Sequence, residues 1–568
     1  MKHKEYINNT IHLFVKKLNK LIPIFIVILA TIISNYYFIR IDLTNEKKYS
    51  ISDNTKKLTS DIDDIIYFKV FLHGNLPPQY QKLANEFKYI LYELKAYSDF
   101  IEFEFIDPSS IQNSEYRLNL QKELYNKGIL PIPHRNYENN KMEETWIFPG
   151  FTATYKSKEI SMSLIAEILS NNSDEIIKKS IENLEFSLMS TIKKLTTKKQ
   201  KIGLISGHGE NTNEEIQSFK NNINNIYQLI ELEPIDGQLN ALDKLDCIII
   251  NNPINFFTEK DKFIIDQFIM NGGKAIWILN GTNANMDSLE KKSQSVVMSL
   301  ENRNLNDMLF HYGIRVNYDI IQDLQAASIP IVTHYIKEKP QWTFFPWTFF
   351  PVSNGNKDHI ISRNINPVKL QFASSIDIIN NGLKPTILLE TTNKTNKLST
   401  PAIINLESLK NPPNEVEFIH GKKNIAVLIE GVFSSVFTNR IPIEIQNSQT
   451  INFKQNSELS NKMVIISDGN FIKNQFLKGD ILPLGFDKHT GLQYGNGTFI
   501  LNTIDYLLNN EMFIKVRSKN IELRLLNQIK IKIEKSYWQF FNLLSPMILV
   551  LIIGLLIKMR RKYKYQKT

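Results

Sequence analysis

The segment Ser206-Gly207-His208-Gly209-Glu210 sets an imidazole and a carboxylate two residues apart among glycines. Such a pair could bind a polar ligand or move a proton, and glycines allow the tight backbone turns that bring these groups together. A plain turn, whose polar side chains satisfy local backbone groups, uses the same residues, and no nucleophile accompanies the pair. On either reading His208 and Glu210 are expected on a surface loop. Cys247 is the only cysteine and is followed by three isoleucines. An amidotransferase-like nucleophile would sit on an exposed, electropositive elbow; a residue inside an apolar run is expected to be a buried core thiol. One cysteine also excludes an internal disulfide and a Cys-rich zinc site. Ser467-Asp468-Gly469-Asn470 reads as a polar turn after a strand, with Asp468 a further candidate for ligand contact. Gly272-Gly273-Lys274-Ala275 lacks the hydroxyl of a phosphate-binding loop and follows a helix rather than a strand, so nucleotide hydrolysis by that route is excluded. No metal site and no cofactor are expected. The tandem WTFFPWTFFP, Trp342 to Pro351, reads as a loop. Its aromatic residues suit either a partner-binding or sugar-stacking surface, with Trp342 and Trp347 as contacts, or a lid packed on its own domain.

These residues are positioned by two α/β domains. Over 45–195, DIIYFKVFL at 64–72 reads as a strand. Leu83, Phe87, Ile90, Leu91 and Leu94 then recur at helical spacing, and IEFEFI at 101–106 alternates as a strand, which makes a β-α-β unit. A helix over 171–195 closes this domain or links it to the next. Over 200–515, short apolar strands at 202–205, 246–250, 275–279, 425–429 and 463–466 alternate with helices at 258–270 and 498–508, Thr258 capping the first of these. That order predicts a mostly parallel, doubly wound, Rossmann-like or amidotransferase-like sheet, with ligands at its carboxyl edge. Residues 281–300 and 392–420 are expected as polar loops, and 516–539 as a connector.

Two uncharged apolar runs, Leu21–Ile39 and Phe540–Ile557, are each long enough to cross a bilayer. The first lacks the small-residue cleavage site of a signal peptide. The tail 1–20 holds five lysines and one glutamate, and 558–568 holds six Lys or Arg and no acid. Basic flanks prefer the cytoplasm, so both termini are expected inside an inner membrane and the bulk outside, in the periplasm. Of the net charge of +9, the two tails supply +10. The remainder is nearly neutral, which excludes nucleic acid as a partner, since that needs a basic face on the folded domain.

Several segments in order resemble the gliding-motility-associated ABC transporter protein GldG family. They are Tyr49-Ser50-Ile51-Ser52, Ser206–Glu210, the Trp-Pro aromatic stretch, IAVLIEGVFSSVFTNR at 425–440, Ser467–Phe471, Gly495–Leu508, VRSKNIELRLL at 516–526 and the closing span. The resemblance implies a non-catalytic auxiliary or substrate-binding subunit that works with a separate permease and ATPase on an unknown ligand, beside membrane lipid. It also implies a central domain similar to one in an intraflagellar transport protein. No catalytic residues carry over. The rival class is a periplasmic envelope-acting hydrolase or carbohydrate-binding module, which a nucleophile beside His208 would favour.

Overall fold

A computed structural model of the chain describes residues 51–138, 141–166, 173–336, 339–411, 413–442, 446, 448, 451–517 and 528–565. The expected first span at 21–39, Tyr49-Ser50 of the first quoted motif and most of the motif at 516–526 lie outside the described residues. The chain divides into two compact units between Lys519 and Asn520.

The amino-terminal part runs α1 (Asp53–Ser60), β1 (Ile66–Val70), α2 (Pro78–Tyr97), β2 (Ile101–Phe105), α3 (Ser114–Asn126), β3 (Ile132–Glu138), β4 (Lys141–Ile147), β5 (Gly150–Tyr155), β6 (Lys158–Ser163) and α4 (Ser173–Thr196). Its four-stranded sheet has the order β2-β1-β5-β6. β1 and β2 are parallel, as a β-α-β unit requires, and β5 and β6 complete the sheet antiparallel. Pro78 opens α2, where its missing N–H costs nothing. Leu83, Phe87, Leu91 and Leu94 form the buried stripe of that helix, and Phe87 stacks on Phe151 at 5.1 Å. β3 and β4 pair as a separate hairpin.

The larger part begins β7 (Lys201–Leu204), α5 (Gln217–Asn224), β8 (Gln228–Glu231), β9 (Cys247–Asn251), α6 (Glu259–Met270) and β10 (Lys274–Ile278). A long excursion follows: α7 (Met286–Lys292), β11 (Gln294–Val297), α8 (Asn306–His311), β12 (Ile314–Val316), β13 (Asp319–Asp323), β14 (Ala326–Ile336), β15 (Lys339–Ser353), β16 (Val368–Lys369), β17 (Ile376–Ile378), β18 (Lys384–Glu390), β19 (Thr395–Ser399), β20 (Ala402–Asn405) and β21 (Asn424–Gly431). The chain then returns to the sheet with β22 (Asn461–Ile466) and closes with α9 (Asn496–Leu507) and α10 (Glu511–Arg517). The main sheet has the order β12-β17-β21-β22-β10-β9-β7-β8. Its half β8-β7-β9-β10-β22 is all parallel. Numbered along the chain, those five strands stand in the order 2-1-3-4-5. β9 alternates between two cores: Cys247 and Ile249 pack with α5 and α9 on one face, Ile248 and Ile250 with α6 and α8 on the other. Burial on both faces is why CIIIN and KAIWI are nearly continuous apolar runs.

Three expectations are corrected here. The sheet is not mostly parallel: β21 runs antiparallel to β22 and is flanked by β17 and β18, also antiparallel. A strand buried on both faces has the same apolar composition in either direction, so composition could not set this one. The stretches expected as polar loops, 281–300 and 392–420, contain α7, β11, β19 and β20; β11 pairs with β20 and β13 with β19 as small two-stranded sheets. WTFFPWTFFP is not a loop. It lies within β15, paired with β14 in a long hairpin.

The second unit contains α11 (Gln528–Tyr565), which includes the expected span 540–557. An 18-residue window within 534–563 reaches a mean hydropathy of 2.6 with none of it buried, so this helix is long and apolar enough to cross a membrane.

Candidate functional site at the carboxyl ends of the parallel strands

In a 2-1-3-4-5 sheet the winding direction reverses between the first and third strands, and the loops leaving their carboxyl ends part to leave a crevice. Here those strands are β7 and β9. The loop after β7 is Ile205 to Asn211, and the loop after β9 starts at Asn252-Pro253; Asn280 follows β10, and Ser467-Asp468-Gly469 follows β22.

Gly207 and Gly209 take φ of +104° and +74°, a region costly for any side chain with a Cβ. Between them the chain folds back over the end of β9, and the His208 carbonyl accepts from Ile254 N at 2.9 Å and Asn255 N at 2.8 Å. The imidazole lies flat on the Phe257 ring at 3.6 Å. Its Nδ1 is 3.4 Å from Glu210 Oε1, and its Nε2 is 3.5 Å from Asp261 Oδ2. These are ion-pair distances, although Nδ1 and Oε1 do not meet hydrogen-bond geometry. Glu210 Oε2 accepts from the backbone N–H of His208 at 2.8 Å. Asp261 is held from below: Thr258 Oγ1 donates to Asp261 Oδ2 at 2.8 Å and accepts from Asp261 N at 3.1 Å. Thr258 is thus the N-cap of α6, and Gly237 N donates to Asp261 Oδ1 at 3.0 Å.

His208 is therefore 5% exposed and Glu210 has a side chain 9% exposed; neither occupies the expected surface loop. The cause is tertiary, since Phe257 from the β9–α6 connection and Asp261 from the first turn of α6 pack against His208. Asp261 and Phe257 were not singled out from the sequence. Thr258-x-x-Asp261, a helix-start spacing, was the available signal for the first, and nothing local marks the second.

Next to this cluster, carboxamides tie four loops together. Asn211 Nδ2 donates to Asn251 Oδ1 at 3.0 Å and to the Gly469 carbonyl at 2.8 Å, and Asn252 Nδ2 donates to Asn211 Oδ1 at 3.2 Å. Asn280 Oδ1 accepts from Gly469 N at 2.6 Å. A Cβ on Gly469 would lie 2.1 Å from Asn252 Oδ1, so only glycine allows this approach. Asp468 is buried and accepts from Gln371 N at 2.8 Å and Asn470 N at 2.9 Å. Burial pushes its carboxyl up to about 7, against the opposing pull of those two N–H groups and of Lys473.

The arrangement offers no nucleophile to His208. Ser206 spends its hydroxyl on the Leu232 carbonyl, and Cys247 is fully buried within the strand, where desolvation raises its thiol pKa. Among the described residues no group of three or more His, Cys, Asp or Glu could hold a metal ion. Of the aromatic pair, Trp342 is 59% exposed and Trp347 is 2% exposed. The structure thus brings His208, Glu210 and Asp468 to one edge of the sheet and leaves both tryptophans on the hairpin.

A mixed α/β domain whose strand ends are closed by paired amides is suited to holding loops in place. Residues 199–503, more than half the chain, match the family model described as ABC-type uncharacterized transport system, and the chain belongs to that family of transport-system auxiliary proteins. Residues 45–154 match a domain of unknown function, DUF7088. An uncharacterized protein of Borreliella burgdorferi is 23% identical over 497 residues, covering 86% of each chain. The mmIFT52 N-terminal domain aligns over 54% of this chain and 97% of its own at 14% identity, with a TM-score of 0.31.

Proposed function

We propose that the chain is a non-catalytic auxiliary subunit of an ABC-type transport complex, anchored in the inner membrane with its α/β domains in the periplasm. In this reading a separate permease and ATPase complete the complex, and the system is of the gliding-motility type that the sequence resembles. The observation that carries the reading is the switch point of the transporter-family domain. There a histidine lies between two carboxylates under a phenylalanine, with its neighbours committed to one another. Such an edge holds the shape of a Rossmann-like ligand crevice without supplying a nucleophile. His208, Glu210 and Asp468 would serve as buried supports for ligand- or partner-facing loops, and Trp347 as the anchor of its strand. Trp342 is left as the open contact.

Two apolar segments are too few to enclose a polar path through a bilayer, so a permease must supply it. Affinity purification of the full chain from its native membrane in mild detergent tests the proposal. A permease and an ATPase should co-purify, and the chain alone should not hydrolyse nucleotide. Hydrolysis by the isolated chain, or its recovery without transporter subunits, would overturn it.

A further inference from the structure

The β14–β15 hairpin packs its inner half into the domain and extends its outer half away from the core. Trp347, Phe349 and Phe350 belong to a buried cluster with Ala327 and Ile329. Farther out, the register opposes Phe344 to Pro330, Trp342 to Val332 and Pro340 to Tyr335. Opposed residues of an antiparallel pair share a face, and 340, 342 and 344 alternate onto that same face. The register shifts between Val332 and His334, leaving Thr333 as an extra residue. Without that bulge Tyr335, three residues beyond Val332, would point to the opposite side; bulges re-aim side chains in this way. One face of the arm therefore gathers Tyr335, Trp342 and Phe344, exposed by 69%, 59% and 46%. The other carries His334, Gln341 and Thr343, with Thr333 Oγ1 3.1 Å from both His334 Nδ1 and Thr343 Oγ1. That second face is mixed, with Ile331 opposite Thr343, so the exposed aromatic rings are what distinguish the first face.

We infer that this arm lies in the headgroup layer of the bilayer crossed by α11, its aromatic face toward the acyl chains; the inference rests on the reading of α11 as a membrane span. Trp and Tyr rings, apolar in body and polar at one atom, concentrate at that layer, and a two-faced element with a small aromatic side lies flat in it. Lys339, at the start of β15, is exposed, and its charge complements anionic headgroups. Ten residues, 518–527, join α10 to α11 in the sequence, and a chain of that length spans at most about 35 Å. A connection that short raises the effective concentration of bilayer surface at the domain. A contact of three rings, too weak to recruit a free protein, then suffices.

The full chain in lipid nanodiscs tests this with acyl chains brominated near the headgroup, since bromine quenches only tryptophans within the bilayer. The chain has five tryptophans, at 146, 277, 342, 347 and 538. Emission from Trp342 is the difference between the W538F variant and the W342F/W538F variant, and emission from Trp538 the difference between W342F and the same double variant. Loss of most of both signals in brominated lipid is the expected result. If Trp538 is quenched and Trp342 is not, the arm inference falls while the membrane anchor stands. Aqueous acrylamide then distinguishes an arm left in solvent from one covered by protein, either a partner or a second copy. If neither is quenched, the anchor reading fails and the inference with it.

Discussion

At the scale of single residues, the role of His208 is set by what surrounds it. Its ring fills the space above Phe257 and stands between the Glu210 and Asp261 carboxylates. His208→Ala would open a cavity there and leave the two carboxylates buried beside it without the ring. Each of these mechanisms is costly in a closed site. The substitution is expected to lower unfolding free energy by about 2–4 kcal/mol, as measured by urea denaturation, whereas an exposed loop histidine would change it by less than about 0.5 kcal/mol. A change within that smaller range would mean that the 206–210 loop stands open in solution. The residue types at this site were legible in the sequence: a histidine and a glutamate among glycines at the end of a strand. Their burial was not, because it depends on Phe257 and Asp261, some fifty residues on, arriving above the same strand end. The carboxamide contacts among Asn211, Asn251, Asn252 and Asn280 escaped for the same reason, since each asparagine alone resembles any polar loop residue.

At the scale of elements, long periodic helices and apolar strands are legible in the sequence, and short elements are not: α1, α3 and α5 carry no clear periodic signal, and α7 lies in a stretch expected as a polar loop. α2 was legible over its whole length, because a 3.6-residue period repeated through twenty residues leaves little ambiguity. β15 was misread because proline at 346 and 351 argues against a strand. Pro346 escapes that argument because β15 pairs only with β14 there and its other edge is free, while Pro351 stands just before β15 also pairs with β16 and gives its carbonyl to Leu370 N. The repeat itself carries a consequence. The first copy pairs in regular register with β14, but from Pro346 to Pro351 β15 advances five residues while β14 advances two, so the second copy is bulged out of the regular alternation and turned toward the domain. Trp347 therefore enters the aromatic cluster with Phe349, Phe350 and Phe372, and Trp342 stays out. Trp347→Ala is expected to cost about 3–5 kcal/mol. Trp342→Ala should stay within roughly 0.5 kcal/mol. Thermal denaturation of the two single variants side by side separates them, and equal effects would contradict the inward and outward assignment of the copies.

At the scale of the whole molecule, the arrangement about the membrane joins the other readings, and the chain supplies a clean way to measure it. Cys247, its only cysteine, is fully buried, with desolvation raising its thiol pKa. Reaction with a maleimide requires an accessible thiolate, so the native protein behaves as a cysteine-free background. Leu459 is 80% exposed in the larger domain, and replacing it with cysteine removes no packed side chain. Lys567 lies in the basic segment beyond α11. If basic flanks hold that segment in the cytoplasm, a membrane-impermeant maleimide added to cells with a permeable outer barrier should label Leu459→Cys. It should reach Lys567→Cys only after the inner membrane is opened. Labelling of both before opening would mean that α11 does not cross. The opposite pattern would place the transporter-family domain in the cytoplasm, and both the proposed periplasmic role and the orientation drawn from the lysines would fall together. The expected pattern leaves the 206–210 edge and the aromatic arm on the side of the membrane opposite the basic tail, as the proposed periplasmic role requires.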